Sequence, residues 1–447
     1  MSTSEKLAIA TPLAAVIVVA LALFMRARPR AFPLLAIAAL PFRLPISADG
    51  RTVNLLIPLY LVVGAGVLAY LLGLFARGGA EGEESPGLPG PREWAGKLIL
   101  LDWLLLATVV LYALQAAYSG DVTKALENLA FFYIPFGLLY VLLRQTRWTR
   151  ELLLQCLAVA VAEAVVFAGI GFVEYARKDL LLNPKVVAAN EYDNYFRVNS
   201  LFFDPSVYGR FLALVMLAVT TVVLWAKTRR EVWAGAAVLA WLLAGLVTSF
   251  SQSSIAALLL GLAVLAAWRW DVRSTIYVAL AALALAAVVA VAAPPSLHIG
   301  LRGAGSSANN ATSGRAKLVS GGLSLFAERP LEGYGSGSFA HEYELHKKAT
   351  ALNATSASHT IPITVAAEQG IVGLALYMAL LVVAFMVLFS GAGRSPPRIA
   401  LAACFAALVL HTWTYADFLE DPMTWTLLGI GVALALAASG EQPAPTG

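Results

Sequence analysis

The sequence predicts an all-α fold: a polytopic membrane helix bundle of about 12–13 transmembrane helices with a large extracytoplasmic loop that contains short helices. Three observations lead to this prediction. Of the 447 residues, 60% are hydrophobic and 13% are charged, which is more apolar surface than a soluble domain can bury. Apolar runs recur near the length of about 20 residues that spans a bilayer. The short connections alternate between basic and non-basic, as in multi-pass membrane proteins.

Thirteen apolar segments are candidates for the helices of this bundle. The first lacks a basic leader and a small-residue cleavage site, so we expect a retained helix rather than a signal peptide. The second and ninth segments are short, which favours re-entrant or tilted pieces and leaves the count open between 12 and 14. The segments lie near residues 7–24, 31–41, 53–75, 98–118, 127–143, 151–175, 206–226, 232–249, 255–268, 275–293, 360–390, 399–416 and 424–438.

Basic residues indicate how the bundle is oriented. They cluster at 26–30, 144–150, 227–230, 269–273 and 394–398, in connections that fall on one side of the predicted bundle. The positive-inside rule makes that side cytoplasmic. The sequence therefore predicts a multi-pass protein of the cytoplasmic (inner) membrane, with its amino terminus outside and its carboxyl terminus inside.

The longest polar stretch divides the chain into three predicted parts. Residues 1–293 form the first part of the transmembrane bundle, 294–358 form a large extracytoplasmic loop, and 359–447 form the last transmembrane helices. Short helices are expected near 314–328 and 338–350. Four of the five histidines fall in this loop or at its exit, so polar chemistry is expected on the outer, periplasmic face.

His359 is the predicted catalytic residue. Pro362 suits the first turn of a helix, so the histidine stands at a helix N-terminus, where positive partial charge disfavours the imidazolium. A neutral imidazole there can accept a proton from a sugar hydroxyl. The alternative is an interfacial histidine that caps the helix. Glu368 lies roughly 13 Å deeper on nearly the opposite helix face, at 1.5 Å and 100° per residue, so it is expected to anchor a neighbouring helix.

Three outward arginines are the predicted substrate-binding residues: Arg197 and Arg210, on either side of a helix start at Asp204, and Arg315 in the large loop. Arginine binds phosphate oxygens bidentately and keeps its charge in a low dielectric, so these residues fit the pyrophosphate of a lipid-linked donor. The alternatives are contacts with lipid headgroups or an ion pair such as Arg210 with Asp204.

Other polar features point to structure or to the edge of the same site. The glycines of "GYGSGSF" (333–339) follow no strand and precede no GK[ST], so a tight turn that lets the backbone approach the bundle is favoured over a phosphate loop. His411 is expected to bond inside the bundle, and Asp417, Glu420 and Asp421 could line the same cavity. No HExxH, DxD or His/Cys cluster occurs, so no metal and no cofactor is expected. The net charge of +4 gives no indication of nucleic-acid binding.

These motifs, in this order, resemble the core of the O-antigen ligase and O-antigen polymerase superfamily. The stretch "SGRAKLVSGGLSLFAERPLEGYGSGSF" carries the SGR-type arginine, Arg315, followed by a proline and a GxG turn. The stretch "SHTIPITVAAEQGIVGLALY" carries the loop-ending His359 and the E-x-G-x-x-G helix that begins at Glu368. "RVNSLFFDPSVYGRFLAL" is similar to the upstream arginine motif of the family, with Arg197 at its start and Arg210 as a rival position. The family often has asparagine where this chain has Thr360.

The resemblance implies a membrane glycosyltransferase of the GT-C type that works without a metal. Its donor would be a glycan linked to undecaprenyl pyrophosphate, and its acceptor a lipid, a glycan or a protein. Carried over, His359 would be the general base that deprotonates the acceptor hydroxyl, and Arg315 and Arg197 would neutralise the leaving pyrophosphate. Ligase and polymerase remain open, because the same residues serve both reactions.

Two alternatives from other classes remain open at this point. A polytopic transporter of a small anion or solute would also have many helices, but it should place its charged site near the bilayer midplane, among broken helices. Here the charged candidates lie at the outer surface, beside a loop that a simple carrier does not need. A catalytically inactive scaffold in envelope assembly is the third possibility.

Overall fold

A computed structural model describes residues 3–48, 51–77, 99–181, 196–202, 204–270, 273, 307–347, 358 and 360–438. Over these ranges the protein is a bundle of long helices, and seven of its helical segments are long and apolar enough to cross a membrane. The predicted fold class, a polytopic membrane helix bundle, is confirmed. The protein is an integral membrane protein.

The helices follow the predicted segments closely. They are α1 (Thr3–Ala27), α2 (Ala31–Ala39), α3 (Ile57–Arg77), α4 (Leu100–Ala116), α5 (Val122–Asn128), α6 (Ile134–Gln145), α7 (Arg150–Arg177), α8 (Pro205–Leu224), α9 (Arg229–Thr248), α10 (Gln252–Arg269), α11 (Ser307–Glu328), α12 (Phe339–Lys347), α13 (Ile361–Phe389), α14 (Pro396–Thr414) and α15 (Pro422–Ala438). A single π-helical turn, Leu129–Tyr133, joins α5 to α6, and a short 3-10 turn, Ala392–Arg394, precedes α14.

Capping residues explain where several of these helices begin. The side chains of Asp204, Thr228 and Ser251 each accept a hydrogen bond from a backbone amide in the first turn of α8, α9 and α10. Such caps satisfy N–H groups that a helix leaves without partners. The helix α10 is long enough to be a candidate span, whereas α2 has only nine residues. The predicted segment 275–293 lies outside the described residues.

A β-hairpin between α2 and α3 departs from the expectation of helices alone. Strand β1 (Leu44–Ala48) pairs antiparallel with strand β2 (Arg51–Leu55), with Leu44 opposite Leu55. The sequence signal for this hairpin was present, since Asp-Gly at 49–50 is a dipeptide typical of two-residue hairpin turns. An antiparallel hairpin satisfies its inner backbone groups within a few residues, so it can stand at the edge of a bundle.

Helix α14 lies between two hydrophobic clusters. Ala402, Phe405 and Val409 on one side of α14 pack with residues of α1 to α6, α13 and α15. Ile399 and Ala407 belong to a second cluster with α7, α8, α9 and α10. A helix that is buried on opposite faces must be apolar nearly all round, as α14 is. The connection 415–421, which leaves α14, therefore emerges where the two clusters meet.

The peripheral helices present large apolar side chains outwards. Trp233 on α9 is 74% exposed and Leu259 on α10 is 58% exposed. Such surface is costly in water and is expected where helices face hydrocarbon. The bundle is therefore built to be solvated by lipid around its circumference.

The two ends of the bundle differ in chemistry. At the basic end, Arg30 pairs with Glu151 at 3.1 Å and Arg269 Nε donates to the carbonyl of Leu224 at 3.3 Å. The other end, called the loop end here, contains the connections 117–121, 196–202, 249–251, 330–338 and 415–421. The amide of Gly120, for example, donates to the carbonyl of Tyr334 at 3.2 Å.

Both short helices predicted in the segment 294–358 are present. Helix α11 begins earlier than expected and α12 ends earlier, but each covers most of its predicted range. Glycines let α11 approach α13: a Cβ at Gly322 would lie 2.6 Å from Ile363 Cγ2. The two helices are thus packed onto the loop end of the membrane bundle.

Candidate functional site

Helix α13 is broken at Gly370, and a loop from the preceding segment fills the break. Gly370 has φ 65° and ψ −163°, which are not helical values. The amides of Tyr334 and Gly335 donate to the carbonyls of Ala367 and Glu368 at 3.1 and 2.8 Å, and the amide of Ile371 donates to the carbonyl of Pro330 at 2.8 Å. Backbone groups without partners are costly in a membrane protein, so this loop stabilises the break.

The loop that fills the break is the glycine-rich "GYGSGSF". Gly333 and Gly335 have φ of 69° and 93°, values that favour glycine. A Cβ at Gly333 would collide with the backbone of Glu368, and a Cβ at Gly335 would collide with the backbone of Ser119. The prediction that this motif is a tight turn whose backbone approaches the bundle is confirmed.

The side chain of Glu368 holds the same loop from the other direction. Its two carboxylate oxygens accept hydrogen bonds from the amides of Gly337 and Phe339, at 2.9 and 3.0 Å. Glu368 is therefore an N-terminal cap of α12 that is supplied by α13, and it is only 7% exposed. The prediction that Glu368 anchors a neighbouring helix is confirmed.

The predicted base and one predicted arginine belong to this region of the chain. His359 lies outside the described residues. On either side of it, the amide of Ser358 donates to Thr364 Oγ1 at 3.0 Å, and Thr360 is the residue before the first turn of α13. Arg315 lies on α11, about two helical turns before the contact at Gly322, and its side chain lies outside the described part.

A cavity of about 170 Å³ lies beside the start of α13, bounded by α4, the α5–α6 segment and the 415–421 loop. Ile361, Thr364 and Glu368 of α13 line it. Because Thr364 also bonds to Ser358, the chain next to position 359 adjoins this cavity. We call it the outer cavity.

The buried floor of the outer cavity combines aromatic rings with one amide. The rings of Tyr112 and Tyr133 stack with their centroids 4.2 Å apart. Asn128 Nδ2 donates to the hydroxyl of Tyr112 at 2.9 Å and to Glu420 Oε1 at 3.1 Å. Asn128 is 2% exposed, and its Oδ1 has no hydrogen-bond partner among the described residues. Sequence analysis missed Tyr112, Tyr133 and Asn128, although polar groups inside apolar segments tend to face a bundle interior.

The half-exposed rim of the cavity is acidic. It carries Asp121, Asp417 and Glu420 against one ammonium group, that of Lys124. Burial, and then the neighbouring Asp417 carboxylate, raises the pKa of Glu420 to about 7. The prediction that Asp417 and Glu420 line a cavity is confirmed, whereas Asp421 has a different role.

Arg210 and Asp421 form a buried ion pair below the 415–421 loop. Arg210 Nη2 lies 2.5 Å from Asp421 Oδ2, and the two side chains are 1% and 2% exposed. Arg210 Nη1 also donates to the carbonyls of Ala416 and Asp417, at 3.2 and 3.4 Å. The observed partner is therefore Asp421 and not Asp204, which caps α8 instead. Arg210 holds in place the loop that forms one wall of the cavity, and its predicted contact with a donor stays a prediction.

Arg197 lies in the 196–202 segment, which is packed against the end of α9. Its Nε donates to the carbonyl of Ser249 at 3.2 Å, and the amide of Val198 donates to the carbonyl of Thr248 at 3.3 Å. The buried carboxylate of Glu174 fixes the same segment by accepting from the amide of Ser200 at 2.7 Å. Arg197 is thus half-buried at the loop end of the bundle.

His411 is fully buried between α14 and the start of α10. Its Nε2 lies 3.1 Å from Ser254 Oγ and 3.3 Å from Ser253 Oγ. The prediction that it forms hydrogen bonds inside the bundle is confirmed. Within the described residues no group of three or more His, Cys, Asp or Glu side chains is arranged to hold a metal ion.

A comparison with protein-family models matches residues 237–378 to the family described as O-antigen ligase. No curated protein matches the chain. The matched stretch begins in α9 and ends in α13, so it contains Arg315, the glycine-rich loop, α12, position 359 and the broken start of α13. Residues 237–378 are therefore similar to the O-antigen ligase family, and this similarity supports the O-antigen ligase and polymerase superfamily.

Proposed function

We propose that the protein is a glycosyltransferase that transfers or polymerises an undecaprenyl-pyrophosphate-linked glycan at the outer face of the cytoplasmic membrane. The observation that carries the proposal is the O-antigen ligase match over 237–378, because that stretch holds the predicted base and the loop packed beside the outer cavity. The acceptor would be a lipid, a glycan or a protein.

In this proposal His359 is the general base. Its neutral imidazole accepts the proton of an acceptor hydroxyl while that oxygen attacks the anomeric carbon of the donor sugar. The bond from this carbon to the pyrophosphate oxygen breaks, and its electron pair leaves with undecaprenyl pyrophosphate. General-base help of this kind contributes roughly 10²–10⁴-fold in rate.

Arg315 and Arg197 are the proposed ligands of the pyrophosphate. Negative charge accumulates on the leaving group as the bond breaks, so a fixed guanidinium stabilises the transition state more than the ground state. Arg210 was predicted to join them. Its buried pair with Asp421 supports a positioning role through the 415–421 loop instead.

The basic end of the bundle supports the proposed orientation. The clusters at 26–30 and 144–150 and Arg269 lie at that end, and the positive-inside rule makes it cytoplasmic. The outer cavity lies at the opposite end, which would then be the periplasmic side. Metal-independent catalysis remains part of the proposal.

The transporter alternative predicts a broken helix, and α13 is broken. In carriers the backbone groups released by a break bind the cargo. Here the carbonyls of Ala367 and Glu368 accept from the glycine-rich loop, and that of Gln369 accepts from Gln115 Nε2 at 3.3 Å. Because the protein itself fills the break, this feature favours a fixed scaffold for the loop over a transport site.

The test is complementation of a strain that lacks the gene. The wild type, a His359→Ala variant and a His346→Ala variant, which changes a loop histidine outside the proposed site, are expressed at matched levels. Lipid-linked and surface glycans are then analysed. We expect the wild type and His346→Ala to restore transfer, and His359→Ala to restore at most about 1% of it. Full restoration by His359→Ala would refute the assignment of the base.

The glycans that accumulate in the deletion strain separate the two reactions. Single repeat units on the lipid carrier would indicate a polymerase, and long unattached chains would indicate a ligase. Loss of a small solute from the cells, with unchanged glycans, would favour the transporter.

A further inference from the structure

We propose that the outer cavity is a binding subsite for one neutral sugar ring of the acceptor glycan, held by Asn128, Glu420 and Tyr112. This inference rests on the proposed function. The inference goes beyond the proposed function because it assigns a site, a ligand class and three residues. All three residues lie outside the O-antigen ligase match over 237–378.

The first argument is the hydrogen-bonding capacity of the floor. Both N–H groups of the Asn128 amide are engaged, by Tyr112 and Glu420, which leaves Oδ1 as an acceptor. A buried acceptor without a partner costs free energy, so a ligand that donates to it is favoured. The Tyr112 hydroxyl accepts from Asn128 and keeps its own hydrogen for donation. A group that both donates and accepts, as a sugar hydroxyl does, matches this set.

The second argument is charge. Asp121, Asp417 and Glu420 line the cavity together with a single lysine, Lys124. Like charges repel strongly in a site of low dielectric, so a pyrophosphate is disfavoured here. The polar floor equally disfavours the apolar polyprenyl chain. Among the parts of the proposed substrates, only the neutral glycan remains compatible.

The third argument is size and shape. At about 170 Å³ the cavity has room for several waters and hence for a single sugar ring. The stacked pair Tyr112–Tyr133 contributes aromatic surface, against which the C–H face of a sugar can pack. The hydroxyls of the ring would then meet Asn128 and Glu420.

The position of the cavity indicates which sugar it binds. Ile361 and Thr364 line it at the start of α13, directly after the proposed base. The sugar whose hydroxyl attacks the donor must lie next to that base, and that sugar belongs to the acceptor. The donor pyrophosphate would be bound by arginines outside this acidic cavity.

The experiment uses the full chain in lipid nanodiscs, with Asn128→Asp, Glu420→Gln and the control Glu127→Gln. Glu127 precedes Asn128 on α5 and does not line the cavity, so its variant removes one carboxylate without touching the site. Thermal unfolding and size exclusion first establish that each variant is folded. Two readouts follow: binding of neutral methyl glycosides of glucose, galactose and N-acetylglucosamine by saturation-transfer NMR, and transfer kinetics with donor and acceptor varied separately.

We expect wild type and Glu127→Gln to bind at least one glycoside, and the two cavity variants to lose that signal. In the transfer assay, the cavity variants should raise the KM for acceptor at least tenfold and leave the KM for donor unchanged. An increase in the KM for donor alone, or unchanged glycoside binding in both variants, would overturn the proposal. If the wild type binds glycosides through these residues but transfers nothing, the subsite stands and the proposed transferase function fails.

Discussion

The carboxylate of Glu368 on α13 accepts the backbone amide of Phe339 at 3.0 Å, so one membrane helix supplies the N-terminal cap of another helix in the loop. The second carboxylate oxygen accepts from Gly337, at 2.9 Å. Through this side chain, the residues after the glycine-rich turn are tied to the point where α13 is broken.

Glu368→Gln should loosen α12 without unfolding the bundle. The amide side chain has only one acceptor oxygen, so one of the two charge-assisted hydrogen bonds is lost, at a cost of about 1–3 kcal/mol. Hydrogen exchange should become faster in 333–347 and stay unchanged in α7 and α9. Glu332→Gln, which changes an exposed carboxylate of the same loop, is the control and should leave exchange as it is. Equal exchange in the two variants would contradict the capping role.

Gly335→Ala should be strongly destabilising. The residue has φ 93°, and the added methyl would collide with the backbone of Ser119, which cannot move aside as a flexible side chain can. Gly64→Ala is the matched control, because nothing lies within 4 Å of its Cβ position and its φ is helical. Thermal unfolding in detergent should show a loss of several degrees for Gly335→Ala only. A neutral Gly335→Ala would show that the loop is not held as described.

The buried pair Arg210–Asp421 should contribute far more to the free energy of unfolding than an exposed pair does. Breaking a buried pair leaves an uncompensated charge, so Arg210→Ala or Asp421→Ala should destabilise by about 3–5 kcal/mol. Arg30 and Glu151 form a pair at 3.1 Å whose side chains are 59% and 63% exposed, so the same changes there should cost at most about 1 kcal/mol. Double-mutant cycles on both pairs measure the difference. Equal coupling energies would refute the buried geometry.

The titration of Glu420 should make stability depend on pH. Its pKa is raised from 4.5 to about 7, so the folded state binds the proton more tightly than the unfolded state. The stabilisation from this group is therefore complete below about pH 4.5 and is lost as the pH rises through about 7. Asp417 raises this pKa, and Lys124 and Arg43 lower it. All three residues are the same in the wild type and in the variant used for the test.

Glu420→Gln removes the titrating group and should flatten this slope. The free energies of unfolding of wild type and variant are measured from pH 5 to pH 8.5. Above pH 7 the variant should be the more stable, by on the order of 1 kcal/mol. Glu127→Gln again serves as the control. Parallel curves for wild type and Glu420→Gln would exclude a raised pKa.

Arg315→Lys should weaken donor use more than folding. Lysine keeps the charge but loses the bidentate fork that matches a phosphate. We expect the KM for donor to rise about tenfold or more, with an unfolding midpoint close to that of the wild type, and a similar effect for Arg197→Lys. Arg329→Lys, at the far end of the same stretch, is the control. An unchanged dependence on donor in both variants would count against pyrophosphate binding.

The positions of the helices were predictable from the sequence, because a bilayer demands about 20 apolar residues at each crossing. Proline and capping residues also indicated where helices begin, as at Pro362 and Asp204. The separation of Glu368 from His359 stays a prediction, because His359 lies outside the described residues. The family resemblance depended on the order of a few motifs, and it is supported over 237–378.

Only the tertiary structure decided which residues meet. Arg210 pairs with Asp421 and not with nearby Asp204, since α8 and α14 pack side by side and bring together groups about two hundred residues apart. The outer cavity is assembled from α4, the α5–α6 segment, α13 and the 415–421 loop, so Tyr112, Asn128 and Glu420 share no local pattern. Apolar periodicity is a local property that a sequence records directly, whereas a site depends on which helices become neighbours.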